Sequence, residues 1–170
     1  AGLDRVLGED LDVVVISELL QPEEVKKALL VADSGRLVIA TLNCTSFLHL
    51  IEKIIHQFIG EEREWMRELL SRTLKGAIVQ KLIPKQGGGR VIAAELVFPN
   101  DAIRSLIRDG NLFQLTNIMQ HSREEGILSL DQSLAKLVSA GVISTEEAQR
   151  YAVDKDVLAA RLNVSMDQFQ

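Results

Sequence analysis

LDVVVISELLQPEEVKKALLVADSGRLVIATLN, residues 11–43, decides the fold. The run from Leu11, LDVVVIS, is branched and apolar with acidic residues before it. Such a run suits a buried parallel strand better than an alternating, half-exposed one. In the next segment Pro22 sits at a helix start, Glu23 and Glu24 occupy the first turn, and Val25, Ala28, Leu29 and Ala32 recur at helical spacing. Gly35 is the stop. A second buried-looking strand follows from Leu37 to Leu42. Strand, helix, strand at this spacing is a βαβ unit, so the two strands are expected parallel, joined by a right-handed crossover.

Downstream, Leu48, Ile51, Ile54, Ile55 and Phe58 form one helical stripe ending near Gly60, and Trp65, Leu69, Leu70, Leu74, Ile78 and Val79 form a longer one. KLIPKQGGGRVIAAELVF reads as a β-hairpin, with its first strand over Gln80 to Ile83, its turn at Gly87, Gly88 and Gly89, and its return over Val91 to Phe98. Pro84 limits how far the first strand pairs centrally. After Pro99 the pattern becomes helices alone. Asn100 or Asp101 caps the first of them and Gly110 ends it; Leu112–Met119 and Leu128–Val138 are the next two. Ser144 with Glu147 makes a capping box for a fourth, and DKDVLAARLNVSMDQF reads as a fifth. The expectation is an α/β core over residues 1–99 followed by an all-helical subdomain over 100–170.

Composition narrows the function classes. With 170 residues and 46% hydrophobic content, one sizeable core is affordable. Lys and Arg total 19 against 24 Asp and Glu, a formal charge of −5, which argues against an extended nucleic-acid surface. Cys44 is the lone cysteine, so neither an intrachain disulfide nor a cysteine-rich metal site can form. No apolar run approaches the roughly 18 residues of a membrane span, and AGLDRVLGEDLDVVVISELL lacks the order of a signal peptide. A cytosolic location fits.

Two groups near the strand ends can carry chemistry. Asp12 opens the first strand and Glu18 lies beyond its C-terminal side, where open parallel sheets place ligands. A carboxylate there can hold Mg²⁺ or orient water against a γ-phosphate. A strand terminator and a turn residue would look the same. Thr41, Asn43, Cys44, Thr45 and Ser46 follow the second strand; their amide and hydroxyl groups can sense a phosphate, or simply form a turn. The three consecutive glycines lack the GxxxxGK[ST] frame and precede a strand, so they read as a turn and not as a phosphate loop. His49, His56 and His121 form no known metal motif, and no metal site is assigned. Arg104 and Arg108, four apart on one helical face, can meet a carboxylate-lined partner surface or be an ordinary solvated face; Arg123 lies nearby in sequence.

Taken in order, GEDLDVVVISELLQPEEVKKALLVADSGRLVIATLNCTS, GGGRVIAAELVF and AIRSLIRDGNLFQL resemble the type IV pilus retraction ATPases of the PilT family, within the secretion ATPase superfamily. The likeness covers nearly the whole chain but only the later half of such a protein. AIRSLIRDG, Ala102 to Gly110, resembles a signature of the retraction motors. The resemblance implies a partial RecA-like P-loop ATPase core and a homo-hexamer that uses ATP and Mg²⁺ to drive pilus retraction and twitching motility. It implies a peripheral position at the cytoplasmic face of the inner membrane, with pilus-base and membrane-platform proteins as partners and no nucleic acid. Asp12 to Glu18 matches the Walker B region, with Glu18 polarising water and Asp12, Thr41 and Asn43 toward the nucleotide. Arg36 and Asn43 stand where the family has the two histidines of its His box, and Leu20 and Gln21 where it has an Arg–Asp pair. Without GxxxxGK[ST], the chain alone is not expected to bind ATP tightly or hydrolyse it. A diverged paralogue serving assembly or regulation is the alternative.

Overall fold

The computed structural model describes residues 11–121 and 126–167. Gly8–Asp10 of the first motif and Arg123 lie outside them. The order is β1 (Val13–Ile16), α1 (Pro22–Asp33), β2 (Leu37–Ala40), α2 (Phe47–Ile55), α3 (Gly60–Thr73), β3 (Ala77–Pro84), β4 (Arg90–Val97) and α4 (Asp101–Asp109). Then come α5 (Phe113–His121), β5 (Ile127–Leu128), α6 (Leu130–Ser139), α7 (Thr145–Tyr151) and α8 (Lys155–Asp167). Packing divides the chain into two interleaved units: one runs to Lys75 and resumes at Pro99–Leu115, the other takes Gly76–Phe98 and the chain from Thr116. The expected boundary at residue 100 followed chain order. Packing instead puts the hairpin with the later helices and α4 with the βαβ segment.

In the first unit β1 and β2 pair in parallel, Val13 with Leu37 through Ile16 with Ala40, as the βαβ reading requires. The strands are less buried than their composition implied. Val14 is 8% exposed, but Val13 and Val15 are 50% and 72% exposed and Leu37 and Ile39 about half exposed. Branched apolar runs signal a sheet covered on both faces, and the described residues cover these strands incompletely. Helix α1 buries Val25, Ala28 and Val31 and packs on β2 and α3. Ser46 caps α2, accepting the amide of His49, and Phe47, Ile51 and Ile55 are sealed from water. Burying such a side chain fully is worth about 1.5–3 kcal/mol. Helix α3 stops at Thr73, so Ile78 and Val79, which continue its apolar stripe in sequence, belong to β3. Lys75 and Gly76 break a periodicity that the side chains alone do not.

Surface ion pairs join α1 to α3. The Arg72 guanidinium donates to both oxygens of Asp33, at 2.8 and 2.9 Å, and the Lys26 ammonium lies 2.6 Å from Glu62 and over the Trp65 ring. The hydrogen bond from Arg72 holds the Asp33 carboxyl below its ordinary range.

The second unit is built on the hairpin. β3 and β4 pair antiparallel from Ala77 with Val97 to Pro84 with Arg90, and Gly87, Gly88 and Gly89 all take positive φ, as a tight turn without side chains permits. β5 adds to the β4 edge, Leu96 with Leu128 and Val97 with Ile127, so the region after Pro99 is not helices alone. Two residues are too few to show an alternating pattern. Ile83, Ala93, Leu130, Leu134, Ile143, Ala148 and Leu158 form the core. Asp131, fully buried in the first turn of α6, organises the C-terminal end: its carboxylate accepts the amides of Val153 and Asp154, at 2.8 and 2.9 Å, and the side-chain amide of Gln120. Asp154 in turn caps α8, accepting from Asp156 and Val157.

Two outcomes follow for stability. Asp131→Ala leaves three donors without their acceptor, the buried Gln120 amide among them, and is expected to cost about 2–3 kcal/mol, read as a lower urea midpoint, with Asp131→Asn losing less. Asp33→Asn is expected to destabilise the chain near neutral pH. Because folding depresses the Asp33 pKa below its ordinary 3.8, that contribution is present above the unfolded value and lost as pH falls through the folded one. The gap between the two proteins in urea melts should therefore close in acid.

Candidate functional site at the strand edge

Parallel pairing aligns the ends of β1 and β2, so the loops after Ile16 and Ala40 leave on the same edge. Thr41 ties them together. Its amide donates to the carbonyl of Ile16 at 3.3 Å, its hydroxyl to the carbonyl of Ser17, and its carbonyl accepts the amide of Leu19 at 2.9 Å. Glu18 stands between those last two contacts, its residue exposed. Farther along the same loop, a carboxylate oxygen of Glu24 accepts the amides of Leu20 and Gln21 at 3.0 and 3.2 Å. These bonds hold the Glu24 carboxyl below its usual range.

The second loop is held by the helix it enters. Lys53 donates to the carbonyl of Asn43 at 2.8 Å, and the Thr45 amide donates to Nδ1 of His49 at 3.3 Å, with the Thr45 hydroxyl 3.0 Å from the same nitrogen. An amide can only donate, so Nδ1 is the acceptor in the contact with the Thr45 backbone. Asn43 itself is exposed at the edge. The structure thus brings Glu18, Thr41 and Asn43 to one edge, as the βαβ reading anticipated.

Asp12 and Arg36 do not join them. Asp12 precedes β1 and its carbonyl accepts the amide of Leu37 at 2.9 Å, at the opposite end of the sheet. Arg36 is at that end too, donating to the carbonyl of Leu11 at 3.1 Å and to the Ser34 hydroxyl at 2.8 Å. A four-residue strand spans about 13 Å, which separates both from the Glu18 edge. Thr41 is a strut between loops, with its hydroxyl engaged by Ser17. Among the described residues no group of three or more His, Cys, Asp or Glu is placed to hold a metal ion.

Arg104 and Arg108 have different surroundings despite their spacing. Arg104 donates to the carbonyl of Ser71 at 2.6 Å, closing the last turn of α3, while Arg108 is half exposed beside Ser105 and Asp109. The Arg104 guanidinium therefore serves this chain's own fold before any partner surface. Gly110 takes a positive φ of 76° as the α4 cap, and a Cβ there would collide with the Arg67 guanidinium. His49, Lys53 and Glu24 escaped notice in the sequence as loop-holding groups. Only the Ser46 to His49 spacing, a cap three residues before its donor, carried a signal.

No protein-family model matches the chain. It is 38% identical over 151 residues to the type IV pilus retraction ATPase PilT of Pseudomonas aeruginosa, covering 89% of this chain and 44% of that protein. To a twitching motility protein of Neisseria gonorrhoeae it is 35% identical over 159 residues, covering 93% and 42%. The crystal structure of the pilus retraction motor PilT with bound ADP matches at a TM-score of 0.82 and 38% identity, over 94% of this chain and 45% of that one. The chain is a PilT homologue. It corresponds to the C-terminal part of PilT and spans less than half the length of these relatives. The Legionella pneumophila ATPase DotB shares the α/β fold, with a TM-score of 0.76 at 21% identity. The AIRSLIRDG stretch therefore lies within a segment alignable to PilT, and its first arginine is the one that closes α3.

Arg104→Ala is expected to lower stability by about 1–2 kcal/mol, whereas Arg108→Ala should stay within about 0.5 kcal/mol. Parallel urea titrations of the two variants check the contrast.

Proposed function

We propose that this chain is the Glu18-bearing part of an ATP-driven motor that powers type IV pilus retraction and twitching motility. The observation that carries the reading is the shared edge of β1 and β2, where a pinned loop presents an exposed carboxylate, in a chain alignable to PilT over most of its length. In this reading β1, α1 and β2 belong to a partial RecA-like core. The working protein is a homo-hexamer at the cytoplasmic face of the inner membrane, contacting membrane-platform and pilus-base proteins and no nucleic acid. The absence, among the described residues, of any helix long and apolar enough to cross a membrane is compatible with a peripheral position.

ATP and Mg²⁺ are the cofactors of this reading, and the residues present fit them in part. Bound ATP would supply the phosphoanhydride whose cleavage drives the motor. Glu18 fits the task of accepting a hydrogen bond from a water and orienting it, because its loop is fixed while its side chain reaches solvent. Asn43 can donate to or accept from a polar group at the same edge, without the titratable proton a histidine would bring. Asp12 does not fit a metal-holding role at that edge, because it sits at the other end of β1. No GxxxxGK[ST] occurs in the 170 residues, so the phosphate-cradling amides and lysine are not supplied by them.

A second reading, a non-catalytic PilT-like module for assembly or regulation, is favoured by Asn43 in a His-box position and by Arg36 at the opposite sheet end. One experiment separates the two. In the protein of the complete reading frame, Glu18→Gln is expected to lower ATP turnover about a hundredfold or more while nucleotide binding, followed by a fluorescent ATP analogue, persists. The 170-residue chain alone should show no turnover. Steady turnover untouched by Glu18→Gln would remove the catalytic assignment, and absence of turnover in the unaltered full protein would favour the second reading.

A further inference from the structure

We infer that Glu24 is a positioning residue for Glu18: its carboxylate gathers the two amides that follow the Glu18–Leu19 step and so fixes where the Glu18 side chain emerges. The inference rests on the reading that Glu18 orients a water. The loop from Ser17 to Gln21 is held on both sides of Glu18. Upstream, the Ser17 carbonyl accepts the Thr41 hydroxyl, and immediately downstream the Leu19 amide donates to the Thr41 carbonyl at 2.9 Å. Both bonds run to one residue, Thr41, and so hold the loop from one side only. Glu24 supplies the second anchor, from α1, by accepting from Leu20 at 3.0 Å and Gln21 at 3.2 Å through a single oxygen. Two anchors on different elements define the loop's orientation where one defines only its position.

The pattern is more than an ordinary helix cap. A capping-box glutamate satisfies the amide of the N-cap residue itself, here Gln21. Glu24 also takes the amide of Leu20, which lies outside the helix and two residues from Glu18. The two bonds keep the carboxyl below its ordinary range, so it is ionised, and an acceptor only, at neutral pH. A displacement of about 1 Å at a reacting group can cost up to about a hundredfold in rate, so loss of one of two anchors is expected to show in turnover before it shows in folding.

The test has two arms. On the 170-residue chain, amide hydrogen exchange by NMR is compared for the unaltered protein, Glu24→Ala and Glu24→Gln. Glu24→Ala should speed exchange at Leu20 and Gln21 about tenfold and carry the change to Leu19, with the α1 amides of Leu29 to Val31 nearly unmoved. Glu24→Gln, which keeps a carbonyl acceptor, should restore part of the protection. In the protein of the complete reading frame, Glu24→Ala should lower kcat about tenfold with the KM for ATP within about twofold, and Glu24→Gln should recover part of it. Unchanged exchange at Leu19, or loosening of all of α1 together, would reduce Glu24 to a helix cap and overturn the inference. So would an unchanged kcat in a full protein whose turnover Glu18→Gln abolishes. If that full protein turns over no ATP at all, the catalytic reading of Glu18 fails, and the exchange arm still decides whether Glu24 sets the loop.

Discussion

Everything at the candidate site hangs on the parallel register of β1 and β2. Pairing Ile16 with Ala40 puts both departing loops at one edge, and Thr41, the first residue past β2, uses its amide, carbonyl and hydroxyl to bind the loop past β1. A slip of one residue would turn Val14 from the buried to the exposed face and carry Thr41 away from Ser17 and Leu19. The apolar runs thus do two things: they bury what they can and they set the register on which a polar edge is built. Helix α1 completes the arrangement from the other side, through Glu24 at its start and the Asp33–Arg72 pair near its end.

Much of this was legible in the residues, for physical reasons. The βαβ unit declared itself through two short branched runs flanking a capped amphipathic segment, and the hairpin through three consecutive glycines between strand-like runs. Both signals are local. What escaped reading was set by tertiary packing. Ile78 and Val79 continue the helical spacing of Leu70 and Leu74, yet Gly76 ends the helical context and they pair with Leu96 and Glu95 across a sheet. Ile127 and Leu128 gain strand geometry only because β4 offers an edge.

The site was legible to about the same depth. Glu18 and Asn43 follow strands, and parallel strands pointing the same way share an edge, so their meeting could be inferred from order alone. Asp12 and Arg36 precede strands, and by the same logic belong to the far edge; the Walker B and His-box resemblances group them with residues that the strand polarity sets apart. Arg104 and Arg108 share helical spacing, but the end of α3 lies within reach of one of them only. Periodicity specifies a face, and it does not say what lies opposite. The hold of Lys53 on Asn43, ten residues apart, left no local trace.

The interleaving of the two packed units bears on how the polypeptide is made. The chain passes from one unit to the other between Lys75 and Gly76, returns after Phe98, and passes over again inside α5. As it emerges from the ribosome, α3 must wait for its packing partner α4, which arrives only after the whole hairpin has been synthesised and which buries Ile103 and Ile107. Each unit's assembly therefore overlaps the other's in time, and neither can be exchanged as an uninterrupted cassette by recombination between genes.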